Sequence, residues 1–262
     1  MSAPVPYVPP PTFDALGVEV AAVDQDRFLA ALDAWHLDPE ASAKGGYVNF
    51  RDVHGVVRAW EDTALANAHR KALMNAPDGK PLVWLGRRRG FSMGQVCGPD
   101  MLPAVCKFGV ARGWRHVLYG STPAVLDDLT AKLRKIAPGV QIVGAISPPF
   151  RPLSEVEIEA DLERIRSSKP HFVWIGIGSP KQEIWMSHYA ERIPGAICMG
   201  VGAAFDMHAD RIPRASMLVR NLGLEWLSRA VREPRRLGAR YAYVVPRFIF
   251  AALREEFSVR PR

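Results

Sequence analysis

The fold is decided between Pro170 and Asp206, which read PHFVWIGIGSPKQEIWMSHYAERIPGAICMGVGAAFD. An apolar run from Phe172 to Ile177 contains Gly176 and leads to Gly178. A helix-like segment starts at Pro180, and a second apolar run from Ala196 ends in Gly200-Val201-Gly202. Short apolar runs bounded by glycine, with a helical pattern between them, predict strand, helix, strand. In a parallel sheet the two glycine-bearing ends lie side by side on one edge, where open α/β proteins bind their ligands. Glycine lets backbone approach a ligand, and a helix starting at Pro180 would offer its positive dipole end. A phosphate-bearing ligand is the expectation.

The usual phosphate fingerprints do not fit. Gly-x-Gly-x-x-Gly would need glycine at Lys181 or at Phe205, and no Gly-x-x-x-x-Gly-Lys-Ser/Thr loop occurs. A nicotinamide-dependent oxidoreductase is therefore not expected. The 262 residues are 48% hydrophobic and 23% charged, enough for a sizeable core and unlike a disordered chain. Cys97, Cys106 and Cys198 are widely spaced and odd in number, which suggests a reducing compartment and no zinc site. The first residues, MSAPVPYVPPPTFD, lack the features of a signal peptide, and no apolar stretch is long enough for a membrane span. A cytoplasmic location is the default expectation.

The net charge of +7 is uneven, because Arg220 to Arg262 holds ten Arg, no Lys and four Glu. Arginine suits bidentate contact with phosphate, so this tail points to an anionic partner. It lacks a recognisable nucleic-acid module, and nucleic acid is not expected.

Along the chain, residues 1–13 read as a proline-rich arm, 14–212 as a core and 213–262 as a helical, basic appendage. Strands are expected at Leu16–Val23, Tyr47–Phe50, Pro81–Leu85, Arg115–Tyr119 and Val140–Ile146, besides the two above. Helices are expected from Asp24 to Trp35, Val53 to Met74, Gly98 to Arg112, Thr122 to Ile136 and Ser154 to Ser168. The alternation defines an α/β, Rossmann-like, doubly wound and mostly parallel sheet. In the appendage, Tyr241, Val244, Val245, Phe248, Ile249, Ala252 and Leu253 form an apolar stripe flanked by Arg240, Arg247 and Arg254. Such a helix fits an anionic membrane surface as well as it fits its own core.

Single residues carry competing readings. Asp78 in Pro-Asp-Gly is first of all a favoured turn residue. Asp206 stands where a sheet-edge ligand would bind, yet an aspartate there also suits a helix N-cap. Ser179-Pro180-Lys181-Gln182 has capping-box spacing, which would make Gln182 both a cap and the lip of the phosphate site. Asp24-Gln25-Asp26 looks like a metal-holding Asp-x-Asp but falls at a helix start, where acidic residues are ordinary. Arg229, Arg232 and Arg236 are dense enough to meet an anion.

Taken together, Asp78-Gly79-x-Pro81-Leu-Val-Trp84, Gly98-Pro-Asp100, Tyr119-Gly120, Pro138-Gly139, Gly176-x-Gly178-Ser-Pro-Lys-Gln-Glu183 and Gly200-Val-Gly202-Ala-Ala-Phe-Asp206 resemble the WecG/TagA/CpsF glycosyltransferases of bacterial surface-polysaccharide synthesis. Arg214-Ala215, Gly223-Leu-Glu225-Trp226, Arg229, Glu233-Pro234-x-Arg236 and Arg240-Tyr241 continue the resemblance, which spans Leu16 to Phe248. It implies an inverting, metal-independent transferase without a cofactor, moving a sugar from a UDP-sugar to a polyprenyl-diphosphate-linked acceptor. The donor would carry N-acetylmannosamine, its uronic acid or a hexose. It would work at the inner face of the plasma membrane, with the appendage closing over the site; a homo-oligomer is compatible with this. Asp78 would be the general base, and Gly176, Gly178, Gln182, Gly200, Gly202, Asp206, Arg229, Arg232 and Arg236 would bind the UDP-sugar.

The chain departs from that pattern at three positions near the expected base. The family's Thr-x-Asn falls on Phe50 and Asp52, and the Arg of its Arg-Val-x-Gly falls on Gln95. Arg87, Arg88 or Arg89 is the expected source of the missing charge. The same departures leave open an alternative, a catalytically degenerate UDP-sugar-binding subunit.

Overall fold

The computed structural model describes residues 6–221, 223–232 and 234–258, except the side chains at 221, 229, 232, 236, 237 and 256–258. A short antiparallel hairpin, β1 (Thr12–Asp14) and β2 (Glu19–Ala21), leads into α1 (Gln25–Leu37), which Asp24 caps by accepting from the Arg27 N–H at 2.9 Å. Then come β3 (Gly46–Arg51), α2 (Val53–Ala59), α3 (Thr63–Arg70), β4 (Met74–Pro77), α4 (Lys80–Arg88) and α5 (Gly98–Val110). The chain continues through β5 (Arg115–Gly120), α6 (Pro123–Ile136), β6 (Gln141–Ile146), α7 (Glu155–Ser167), β7 (Phe172–Gly176), α8 (Lys181–Tyr189) and β8 (Ile197–Gly200). Helices α9 (Ala204–His208), α10 (Met217–Asn221), α11 (Glu225–Arg232) and α12 (Ala239–Ser258) complete it.

Strands β3 to β8 form one all-parallel sheet in the order β4-β3-β8-β7-β5-β6. Side chains alternate across it, as the period of two requires. Phe172 and Trp174 of β7, Ile197 and Met199 of β8, and Val48 and Phe50 of β3 pack with α1, α5 and α6. Val173, Ile175, Cys198 and Tyr47 face the other way, against Leu162 and Ile165 of α7 and Trp185 and Met186 of α8. Both faces are covered, so the strands read as continuous apolar runs. This is the doubly wound arrangement expected from the sequence.

A third apolar cluster lies beyond the sheet. Phe13, Val18 and Val20 of the N-terminal hairpin meet Val56 and Val57 of α2, Leu82, Val83 and Leu85 of α4, and Val244 and Phe248 of α12. Val244 and Phe248 of the tail's apolar stripe are thus docked on the chain's own core, with Ala252 packed against them. Ile249, Phe250 and Leu253 instead remain 52%, 69% and 49% exposed.

Three expected elements differ. Pro81–Leu85 is not a strand but the first part of α4, with Pro81 in the first turn, where its missing N–H costs nothing. Leu82, Val83 and Leu85 supply the buried face of that helix, and short apolar runs do not by themselves distinguish strand from helix. The strand lies earlier, at Met74–Pro77, running from the last residue of the expected long helix into what reads as the turn Ala76-Pro77-Asp78-Gly79. That helix is two, α2 and α3, because Asp62 caps α3 by accepting from the Leu65 N–H at 3.0 Å. Asp78 therefore follows a strand and precedes a helix, the reverse of the expectation. This puts it on the same sheet edge as the glycines.

Candidate active site

The carboxyl ends of β4, β3, β8 and β7 stand next to one another, since Arg51 pairs with Pro77, Asn49 with Gly200 and Ile175 with Gly200. Beyond the end of β4, the Asp78 and Gly79 N–H groups both donate to the Arg51 carbonyl, at 2.8 and 3.2 Å. Gln95 Nε2 donates to the Asp78 carbonyl at 2.6 Å. The backbone of Asp78 is held from both sides, while its carboxylate makes no hydrogen bond among the described residues.

Asp78 lines a cavity of about 550 Å³ between this sheet edge and the C-terminal helices. Asp52, His54, Lys80, Arg88, Gln95, Arg214, Arg220 and Glu225 contribute polar groups to it. Trp84, Trp226, Tyr241, Phe248, Ile249 and Leu253 build an extensive apolar wall. Burial pushes the Asp78 carboxyl up to about 7, aided by the negative charges of Asp52 and Glu225 and opposed by Arg51 and Arg214. His54 moves down to about 4 because burial disfavours its cation and Arg240, Arg58 and Arg51 repel it, outweighing Asp52. At neutral pH the cavity therefore holds a neutral imidazole and a carboxyl close to its midpoint.

The tail is latched to the core beside this cavity. Asp100, in the first turn of α5, accepts from Arg214 and, at 3.3 Å, from Arg220. The Cys97 thiol also donates to Asp100, at 2.9 Å. Burial works to raise the Asp100 carboxyl, but the bonds from Arg214 and Cys97 outweigh it and hold it below its ordinary range. A second depression, between α6 and α9, is lined by Lys132, Arg211 and other charged groups but by none of the residues picked from the sequence.

The glycine edge is built from different causes than expected. A side chain at Gly176 would collide with the Phe205 ring at 2.6 Å, and one at Gly200 with Met186 at 2.7 Å and Gln182 at 2.9 Å. These two glycines answer to packing inside the protein. Gly178 and Gly202 have φ of +85° and +51°, the left-handed region that favours glycine. The Gly202 N–H donates to the Ile175 carbonyl at 3.3 Å, so it is already used.

Ser179 and Gln182 do not form a capping box. Pro180 occupies the cap of α8 without a side-chain bond, and Gln182 is 4% exposed, turned inward to donate to Glu183 Oε1 at 3.1 Å. Its amide stands against Gly200 and Gly202, so these three candidates come together. Asp206 is not an N-cap either: it sits inside α9, its carbonyl accepting from Arg211 and Ile212, and it does not line the cavity. The side chains of Arg229, Arg232 and Arg236 lie outside the described residues.

Of the departures, Asp52 caps α2 by accepting from the Gly55 N–H at 2.9 Å and lines the cavity; Phe50 packs against Phe28 in the core instead. Of the three consecutive arginines, Arg88 lines the cavity, while Arg87 donates to the Met93 carbonyl and Arg89 pairs with Glu255 at 2.8 Å. The sequence reading missed Lys80, His54 and Arg220 at the site, and Arg51 behind it. An arginine closing the otherwise uncharged strand GYVNFR was the available signal for the last.

A doubly wound parallel sheet thus presents a carboxyl at its ligand edge, facing a cavity lined by both cations and apolar side chains. The model of the glycosyl transferase WecG/TagA/CpsF family matches residues 13–262, nearly the whole chain. The chain belongs to this family and is a glycosyltransferase of cell-surface polysaccharide synthesis.

Proposed function

We propose that this glycosyltransferase moves a sugar, N-acetylmannosamine, its uronic acid or a hexose, from a UDP-sugar to a polyprenyl-diphosphate-linked acceptor, with inversion. Asp78 acts as general base. It takes the proton of the acceptor hydroxyl as that oxygen bonds to C1 of the donor sugar and the bond from C1 to the UDP oxygen breaks. Lys80, Arg88, Arg214 and Arg220, which line the same cavity, offset the charge developing on the diphosphate, and no metal is required. The observation that carries this reading is the Asp78 carboxyl, with its pKa raised to about 7, in a cavity lined by both cations and an apolar wall.

The apolar wall suits the first units of a polyprenyl chain. Trp84, Ile249 and Leu253 line it and are also 52%, 52% and 49% exposed, which supports a mouth that opens toward lipid. No helix among the described residues is long and apolar enough to cross a membrane. Attachment at the inner face of the plasma membrane, through this mouth, is part of the same proposal.

The decisive experiment measures UDP release from a panel of UDP-sugars with a short polyprenyl-diphosphate-sugar acceptor and EDTA. Acceptor-dependent release from one donor is expected. UDP binding without release across all acceptors would replace the transferase with a UDP-sugar-binding subunit.

A further inference from the structure

Arg51 ends β3, and its side chain is 3% exposed on the face covered by α3 and α8. Its guanidinium pairs with Glu183, whose side chain is 0% exposed, and meets His69 Nε2 at 3.2 Å. A Cβ on Gly55 would come within 2.7 Å of Arg51 Nη1, so α2 closes the remaining side. The backbone of the same residue accepts the N–H groups of Asp78 and Gly79. Glu183 in turn accepts from Gln182, whose amide stands against Gly200 and Gly202.

A buried ion pair is poor value as a stabiliser, because apolar residues of the same volume often hold a fold as well. The contacts of this one run to the site in two directions. We propose that Arg51, locked by Glu183, is a positioning residue for the Asp78 base, and that the link through Gln182 ties the base to the glycine edge beside β8. This rests on reading Asp78 as the base. It needs no contact between Arg51 and substrate, since the carbonyl of Arg51 fixes the turn that carries Asp78 while its charge acts on the carboxyl.

The groups that face Asp78 are Asp52 at the start of α2, Glu225 on α11, Arg51 on β3 and Arg214 ahead of α10. His54, Lys80, Arg88 and Arg220 line the same cavity. Arg51 and Arg214 are the cations that favour the ionised form of Asp78. Removing the pair should therefore move the Asp78 titration to higher pH.

The test is Arg51→Met/Glu183→Met, which removes both charges and keeps an unbranched side chain in each place. Two readouts follow, the carbon-13 titration of the Asp78 carboxyl and the pH dependence of UDP release. Positioning predicts a folded protein whose Asp78 titration and acid limb both move to higher pH, with kcat lower by about 10- to 100-fold. A folded double variant with wild-type titration and kcat would make the pair purely structural and overturn the proposal. If the double variant does not fold, Arg51→Lys is measured: lower kcat with the titration unmoved supports the proposal, and full turnover overturns it. The titration needs no turnover. Should Asp78→Asn retain full activity, the base assignment fails, and the titration still decides whether Arg51 governs the Asp78 environment.

Discussion

As the proposed base, Asp78 also carries a cost to the fold. A carboxyl whose folded pKa is raised to about 7 from 3.8 binds its proton more tightly in the folded chain. Its stabilising contribution is complete below pH 3.8 and is lost as the pH rises through 7. Asp78→Asn is thus expected to lower acceptor-dependent UDP release by about 10²–10⁴-fold and to raise stability at pH 8 by about 1–3 kcal/mol, read from turnover and urea unfolding of the same sample. Since only the carboxylate accepts the proton, kcat/KM should rise with pH to a plateau above 7. Asp52→Asn keeps a good N-cap for α2 but removes a negative neighbour, and its acid limb should lie at lower pH than the wild type. An unmoved limb would show that Asp52 does not act on the base. The importance of Asp78 was legible only through the resemblance, because Pro-Asp-Gly by itself is a turn. Arg51 stayed hidden because its partners lie 18 and 132 residues away.

At the scale of elements, the glycine-ended strands β7 and β8 were readable because burial on both faces leaves continuous apolar runs whose ends are punctuated. The run Pro81–Leu85 was misread because a short apolar stretch fits either period, and only its packing against Phe13 and Val244 settles it as helix α4. The tail shows the same ambiguity in one helix. Truncation at Pro213 would remove Val244 and Phe248 from a core cluster, at about 1.5–3 kcal/mol per buried side chain, so loss of activity in that variant would not isolate a catalytic role. A surface change is cleaner. Phe250→Glu, at a position 69% exposed, is expected to leave the melting temperature within about 2 °C and to weaken cosedimentation with anionic vesicles severalfold. Unchanged sedimentation would remove this face of α12 from membrane contact.

The whole molecule keeps its two sheet ends apart in chemistry. Opposite the active edge, His36, His116 and His171 crowd among Trp114, Phe172 and Trp174. Burial lowers all three, His116 to about 3 and His171 to about 4, with the neighbouring histidines adding to the shift in those two. Unfolding frees them to take protons near pH 6.5, so stability should fall steadily as pH drops from 6.5 toward 3. Thermal unfolding between pH 8 and 4 checks this, and His116→Phe should lower the plateau, by orphaning the Trp174 indole N–H, while flattening the acid decline. A pH-independent melting temperature would refute it. The strand order has a consequence for how the chain is made. β8, the last strand, sits between β3 and β7, with two strands on one side and three on the other. A nascent chain that has emerged only as far as residue 195 holds two partial sheets with unpaired edges and nothing to join them. During synthesis those edges are the exposed, sticky stage of this protein's life, and the four residues of β8 end it.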